Sequence, residues 1–268
     1  MRLRTLVASL ILAGASALPA AAHEFWISPE AYQVEAGGTI TAAIRVGSDF
    51  EGSSYSYIPD NFRRFDLVQG DTVVPVEGRI GDRPALAMAA PGDGLWTVVH
   101  VTTDTQLKYK DWDTFVGFTE HKDVTWAQER HVARGLSMDN VREQYSRYGK
   151  SLVGVGDAAG QDVRVGLLIE IVAEANPYTA ALSEMPVQVF HDGAVRAGSQ
   201  VEVYSRAPEG AVSVTRYRTD AEGRVSFPVE AGHEYLVDSV VLREIESGTE
   251  TGPAWESLWA SLTFRMPG

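Results

Sequence analysis

Apolar and polar residues alternate in short runs over most of the chain, with glycine and aspartate at the breaks. Gly37-Gly38 precedes an alternating run at 39–44, and Gly70-Asp71 separates an apolar run at 65–68 from another at 72–74. Runs of this length with Gly/Asp between them predict hairpins. Residues 95–101 are apolar at odd and even positions alike, which predicts a strand buried on both faces. Strand character returns at 151–155 and 163–173, and Asn176-Pro177 then breaks the pattern. Beyond it, runs at 187–190, 201–204, 235–242 and 258–264 predict further strands, and residues 218–227 read as strand, Asp/Gly turn, strand. The pattern predicts a mainly β protein of two β-sandwich domains, 23–177 and 178–268.

One segment departs from it. Between about 108 and 148 aromatic and charged residues crowd together, predicting a helical insert in the first sandwich. Asp123 is the expected N-cap, Val124, Ala127 and His131 fall on one helical face, and Gly135 ends the run. Tyr109, Trp112, Phe115, Phe118 and Trp126 form an aromatic block, expected to be the insert's own core and alternatively a sugar-stacking platform. Arg142, Arg147 and Lys150 are a local basic cluster offset by Glu143, expected on a solvated surface.

The first 22 residues have a different logic. Arg2 and Arg4 precede an apolar run at 6–13, and Ala20-Ala21-Ala22 supplies small residues for cleavage, the layout of a secretory signal peptide. The apolar run is too short to span a bilayer, and no later stretch reaches that length, so the expectation is an exported, periplasmic protein without a transmembrane segment. The formal charge of −13 removes nucleic acid from the expected partners, because phosphate binding needs a basic stripe. The chain has no cysteine, which excludes disulfides, thiolate metal sites and cysteine nucleophiles.

The sequence contains no nucleophile elbow, Walker A loop, H-E-x-x-H or dinucleotide fingerprint, so no enzyme class is indicated. The sharpest chemical feature is His23. Cleavage after Ala22 would expose its α-amino group beside its own imidazole, two nitrogens with reference pKa values of about 8 and 6.5 that can close one chelate ring. Such donors suit copper(II), nickel(II) or zinc. The expected partner ligands are His100, on the pleat face of Trp96 and Val98, and His131, on the inward helical face. For each, a structural role is the competing reading. His121 is expected to be exposed, and His191 and His233 to lie in turns.

The segments HEFW, ERHVARGL, YSRYGKSLVGVG, NPY, TDAEGRVSF, YLVDSVVLRE and WESLWASLTF, in this order, resemble the domain-of-unknown-function 4198 family (DUF4198). Its members are secreted bacterial proteins, some associated with nickel or cobalt uptake. The resemblance implies a secreted β-sandwich protein that handles metal, with His23 and His131 at matching positions and His100 on the corresponding strand. A further ligand from YLVDSVVLRE would have to be Asp238, since that strand has no histidine. The C-terminal half is also similar to Ig-like and transthyretin-like modules through TDAEGRVSF.

Three functions follow as expectations. The first is a periplasmic metal-binding or metal-delivery protein with nickel, cobalt or copper as its ion and a membrane metal transporter as partner. The second is a non-catalytic module that binds envelope carbohydrate or protein through the aromatic insert. The third is a copper oxidase with an N-terminal histidine brace, which needs a second histidine within coordination reach.

Overall fold

The computed structural model describes residues 24–246 and 252–268. The expected leader and His23 lie outside the described residues. In chain order the strands of the first half are β1 (Glu24–Pro29), β2 (Gln33–Val34), β3 (Thr39–Ser48), β4 (Glu51–Tyr55), β5 (Phe62–Gln69), β6 (Thr72–Pro75), β7 (Leu86–Ala89), β8 (Gly94–Thr102) and β9 (Thr105–Lys108). Two helices follow, α1 (Trp112–His121) and α2 (Trp126–Ala133), and then the long strand β10 (Arg142–Val155). The remaining strands are β11 (Ile169–Ala173), β12 (Glu184–His191), β13 (Ala194–Val195), β14 (Gln200–Arg206), β15 (Val212–Arg218), β16 (Arg224–Pro228), β17 (Glu234–Glu244) and β18 (Trp255–Arg265).

The protein is mainly β, and its layers share one central sheet. That sheet runs β15-β14-β17-β18-β10-β8-β5-β6, with β2 and β9 also paired to β10. Its junction is a parallel ladder between β10 and β18, from Glu143 opposite Trp255 to Ser151 opposite Thr263. On the back face the sheet of β11, β12, β13 and β16 closes a core containing Val99, Leu152, Val187, Phe227, Val237 and Leu262. On the front face the sheet of β1, β3, β4 and β7 covers one end, around Ile27, Ile40, Leu67 and Val98. The two helices cover the other end, where Tyr109, Phe115, Phe118 and Ala127 pack on Trp255 and Trp259. Gly149 sets the fit of the front layer, because a Cβ there would come within 2.7 Å of the Phe25 ring.

The hairpin at Gly70-Asp71 forms as expected, joining β5 to β6 with Gly70 at φ +54°. The buried strand at 95–101 is β8, whose residues are all buried except Thr102. The helical insert forms too, but its boundaries differ. Asp123 is no N-cap: it sits at φ +57° between the helices and pairs with Arg218 at 2.7 Å. The cap that forms is Asp111, which accepts the Thr114 N–H at 2.8 Å at the start of α1. Residues 142–148 belong to β10 rather than to the insert.

That reassignment overturns the expected solvated basic cluster. Lys150 is 1% exposed on the back face, 2.9 Å from Asp162 and 3.2 Å from Glu170. Glu170 also accepts the N–H groups of Val165, Gly166 and Leu167, so the ion cluster holds the 163–168 segment against the sheet. Arg147 points to the front face and is largely enclosed. Charged residues inside a strand read as surface in a sequence, but here the layers packed on the faces of β10 bury Lys150 and leave Arg142 and Arg147 half-buried.

Glu143, on the same strand, is fully enclosed and accepts hydroxyl hydrogen bonds from Tyr109 and Ser257. Burial pushes its carboxyl from 4.5 up to about 7, outweighing those bonds. The folded state therefore holds a proton that the unfolded chain has released between those values. Stability contributed by this group is present at the acid end of the window and is lost as pH rises through it, at about 1.4 kcal/mol per pH unit. Glu143→Gln should flatten the dependence of stability on pH across this window, measured by urea denaturation in a pH series. A slope equal to that of the wild type would show that Glu143 does not titrate there.

Candidate functional site

On the front face the β1 sheet and the helical insert leave a seam over β14, β17 and β18. Lys122, the residue after α1, reaches into it. Its position at a helix C-terminus favours a cation. Its ammonium bonds Glu202 on β14, lies 3.0 Å from Asp238 on β17 and 4.0 Å from Glu24 on β1, and sits 4.9 Å above the Trp259 ring. Glu202 and Asp238 are adjacent because β14 and β17 pair Glu202 opposite Asp238. Glu202 also takes Arg216 at 3.0 Å and His121 at 3.1 Å, and the Tyr204 hydroxyl donates to Glu24 at 2.8 Å.

The seam holds three carboxylates against two permanent cations. Burial alone would raise Glu202, yet the bonds from His121 and Lys122 hold it down at about 2. Burial raises Asp238 despite Lys122. Glu24 rises to about 7, since burial outweighs the pull of Lys122 and Asp238 adds repulsion. One Glu24 oxygen, Oε2, is buried without a hydrogen-bond partner. Glu24 also lines an open cleft of about 550 Å³ with Asp49, His121, Tyr204 and Arg216.

Of the expected metal ligands, His100 and His131 are described, and they lie in separate cores. His100 is 4% exposed in an aromatic cage, its ring centre 5.5, 5.4 and 4.9 Å from those of Phe25, Phe62 and Phe65. Burial lowers it to about 3, so it is neutral, and its Nδ1 has no partner. His131 lies in a different core, against Trp112, Phe115 and Trp255. Its Nδ1 accepts from the Trp255 indole at 3.0 Å and its Nε2 meets the Ser137 carbonyl at 3.2 Å. Both ring nitrogens have protein partners, the arrangement of the structural role that competed with ligation for His131. The two histidines share no aromatic neighbour, and among the described residues no group of three or more His, Asp or Glu side chains is placed to hold a metal.

The aromatic block of the insert is core: Tyr109, Phe115 and Phe118 are buried, and Trp126, at 46% exposed, is the member that faces out most. No helix of the described residues is long and apolar enough to cross a membrane. The seam was invisible in the sequence except as single charged residues in apolar strands, Glu202 within VEVY and Asp238 within LVDSV.

A family model described as a domain of unknown function (DUF4198) matches residues 20–242. The chain belongs to this family. The seam lies within the matched region except for Trp259, so it is built from DUF4198 sequence. No curated protein matches the chain. Among solved structures, it is similar to a tetra-tandem repeat from the extending region of a large adhesion protein, at 11% identity and a TM-score of 0.21, over 91% of this chain and 49% of that one. The chain thus spans about half the length of that structure. It is also similar to the D0-D1 domain of intimin, at 11% identity and a TM-score of 0.24, over 89% of this chain and 96% of that one.

The Lys122 network ties the DUF4198 insert to the central sheet. Lys122→Met should destabilise the protein by about 3 kcal/mol or more, because Asp238 is left buried without its cation. Asp238→Asn added to that variant should recover part of the loss, a coupling measurable by a double-mutant cycle in denaturant. Strict additivity would mean that the pair does not interact.

Proposed function

We propose that this DUF4198 chain is an exported, non-catalytic metal-binding protein whose ion is held at the start of β1. The observation that carries this reading is the Glu24 carboxylate: it is buried, one of its oxygens has no partner, and it lines a cleft beside Asp49. Cleavage after Ala22 would place the amine and imidazole of His23 one peptide bond from that carboxylate. Amine, imidazole and carboxylate together are a donor set for nickel(II), cobalt(II) or copper(II). A carboxyl whose folded pKa is about 7 is half-ionised near neutrality, and a bound cation would favour its charged form.

The site has the character of a binding site rather than a catalytic one. Its other charged groups are committed to each other, and the described residues of the seam present no nucleophile next to a free base. The proposal includes a periplasmic location, in keeping with the signal-like first 22 residues, and delivery of the ion to a membrane transporter. The second reading, envelope binding through the insert, is left with Trp126 as its exposed aromatic.

Intact mass of the exported protein should give a chain that starts at His23. Titration calorimetry and elemental analysis should then give one equivalent of nickel, cobalt or copper, with affinity reduced about a hundredfold by His23→Ala and about tenfold by Glu24→Gln. One extra residue ahead of His23 should weaken binding as much as His23→Ala, because it removes the free amine. No bound metal, or binding unchanged by His23→Ala, overturns the reading.

A further inference from the structure

The other side of β1 covers a second pocket of opposite charge. Where Glu24 faces the seam, Phe25 faces the core and forms one wall of a cavity of about 330 Å³. This volume is in the range of small-molecule sites. Apolar and aromatic residues, among them Phe25, Ile44, Tyr55, Phe62 and Tyr145, share its walls with Ser56, Asn61 and three threonines, and Arg147 and His100 also line it.

Among the described residues no carboxylate lies within ion-pair distance of the Arg147 guanidinium, and its Nε is buried without a hydrogen bond. The guanidinium is instead sandwiched by rings, 4.7 Å from the centre of Tyr145 and 5.9 Å from that of Phe25. The carboxylates that act on it do so from a distance and are already engaged, Asp238 with Lys122 and Glu143 with Tyr109 and Ser257. An enclosed cation costs several kcal/mol unless an anion meets it, and stacked rings offset only part of that. His100 adds a neutral imidazole whose Nδ1 is also unpartnered. Two unsatisfied polar groups in one aromatic cavity match a ligand with a carboxylate at one end and a flat apolar body at the other.

We propose that this cavity binds a small aryl carboxylate, with the carboxylate on Arg147 and the ring between Phe25, Phe62 and Tyr55. The geometry is that of a planar guanidinium that can meet a carboxylate through two parallel N–H bonds. Binding requires no metal, so it stands or falls separately from the reading of the β1 seam.

The test uses the full mature chain and three probes, benzoate, 3-phenylpropionate and indole-3-acetate, titrated by calorimetry in the presence of EDTA. At least one should bind at one per chain with a submillimolar Kd, and its primary amide should bind at least tenfold more weakly. Arg147→Met should lose at least tenfold in affinity while its ligand-free melting temperature stays at or above that of the wild type, because an unpaired enclosed charge has been removed. Tyr55→Ala, at a rim position that is 48% exposed, should weaken the acid without unfolding the chain. Failure of all three probes to bind, equal binding of acid and amide, or unchanged binding by Arg147→Met overturns the proposal.

Discussion

The parallel ladder between β10 and β18 is the constraint on which the rest of the structure depends. It joins strands more than a hundred residues apart in sequence, and through it the strands before residue 177 and those after it form one sheet. Parallel neighbours cannot be linked by a tight turn, so a long connection must leave one face and return. Much of that connection is the sheet of β11, β12, β13 and β16, which covers the back face. The front face is thereby left to β1 and the helices, and the gap between these two covers is where the unusual chemistry collects.

Because both faces of β10 are covered by other layers, many of its polar side chains are removed from water. Glu143, Ser146, Lys150 and Ser151 are buried there and Arg147 is half-buried. Lys150 is offset by two carboxylates, Glu143 by two hydroxyls and its own protonation, and Ser151 by Thr263 at 2.8 Å. Arg147 alone is offset by ring faces. Buried ion pairs contribute little net stability compared with an apolar replacement, but losing one partner is costly. Their effect is therefore on arrangement: Lys150 fixes the 163–168 segment and Lys122 fixes the end of α1 against β14 and β17.

The elements whose signal is local were legible in the sequence. The Gly70-Asp71 hairpin, the apolar strand at 95–101 and the existence of a helical insert need only short-range pattern, and all three are present. DUF4198 membership was also readable, since it rests on segments in order. What failed depends on partners distant in sequence. Lys150 read as surface because nothing near it in sequence reveals the layers that cover its strand or its partners Asp162 and Glu170. For His131 ligand and structural role stayed open in the sequence, because its bond to the Trp255 indole spans the insert and the last strand. Asp123 read as an N-cap because Asp before an apolar periodic run has that meaning locally, whereas its pairing with Arg218 is set by the docking of the insert on β15.

Alternation along β1 ties the two candidate sites together. Successive side chains of a strand point to opposite faces, so Glu24 and Phe25 serve different chemistries from adjacent positions. On the Glu24 side the unmet group is a carboxylate oxygen, and on the Phe25 side it is a guanidinium. Burying an unpartnered carboxylate oxygen of Glu24 on β1 and an unpartnered guanidinium nitrogen of Arg147 on β10 costs folding energy at both. The two proposed ligands differ accordingly, a cation on the Glu24 face and an anion on the Phe25 face.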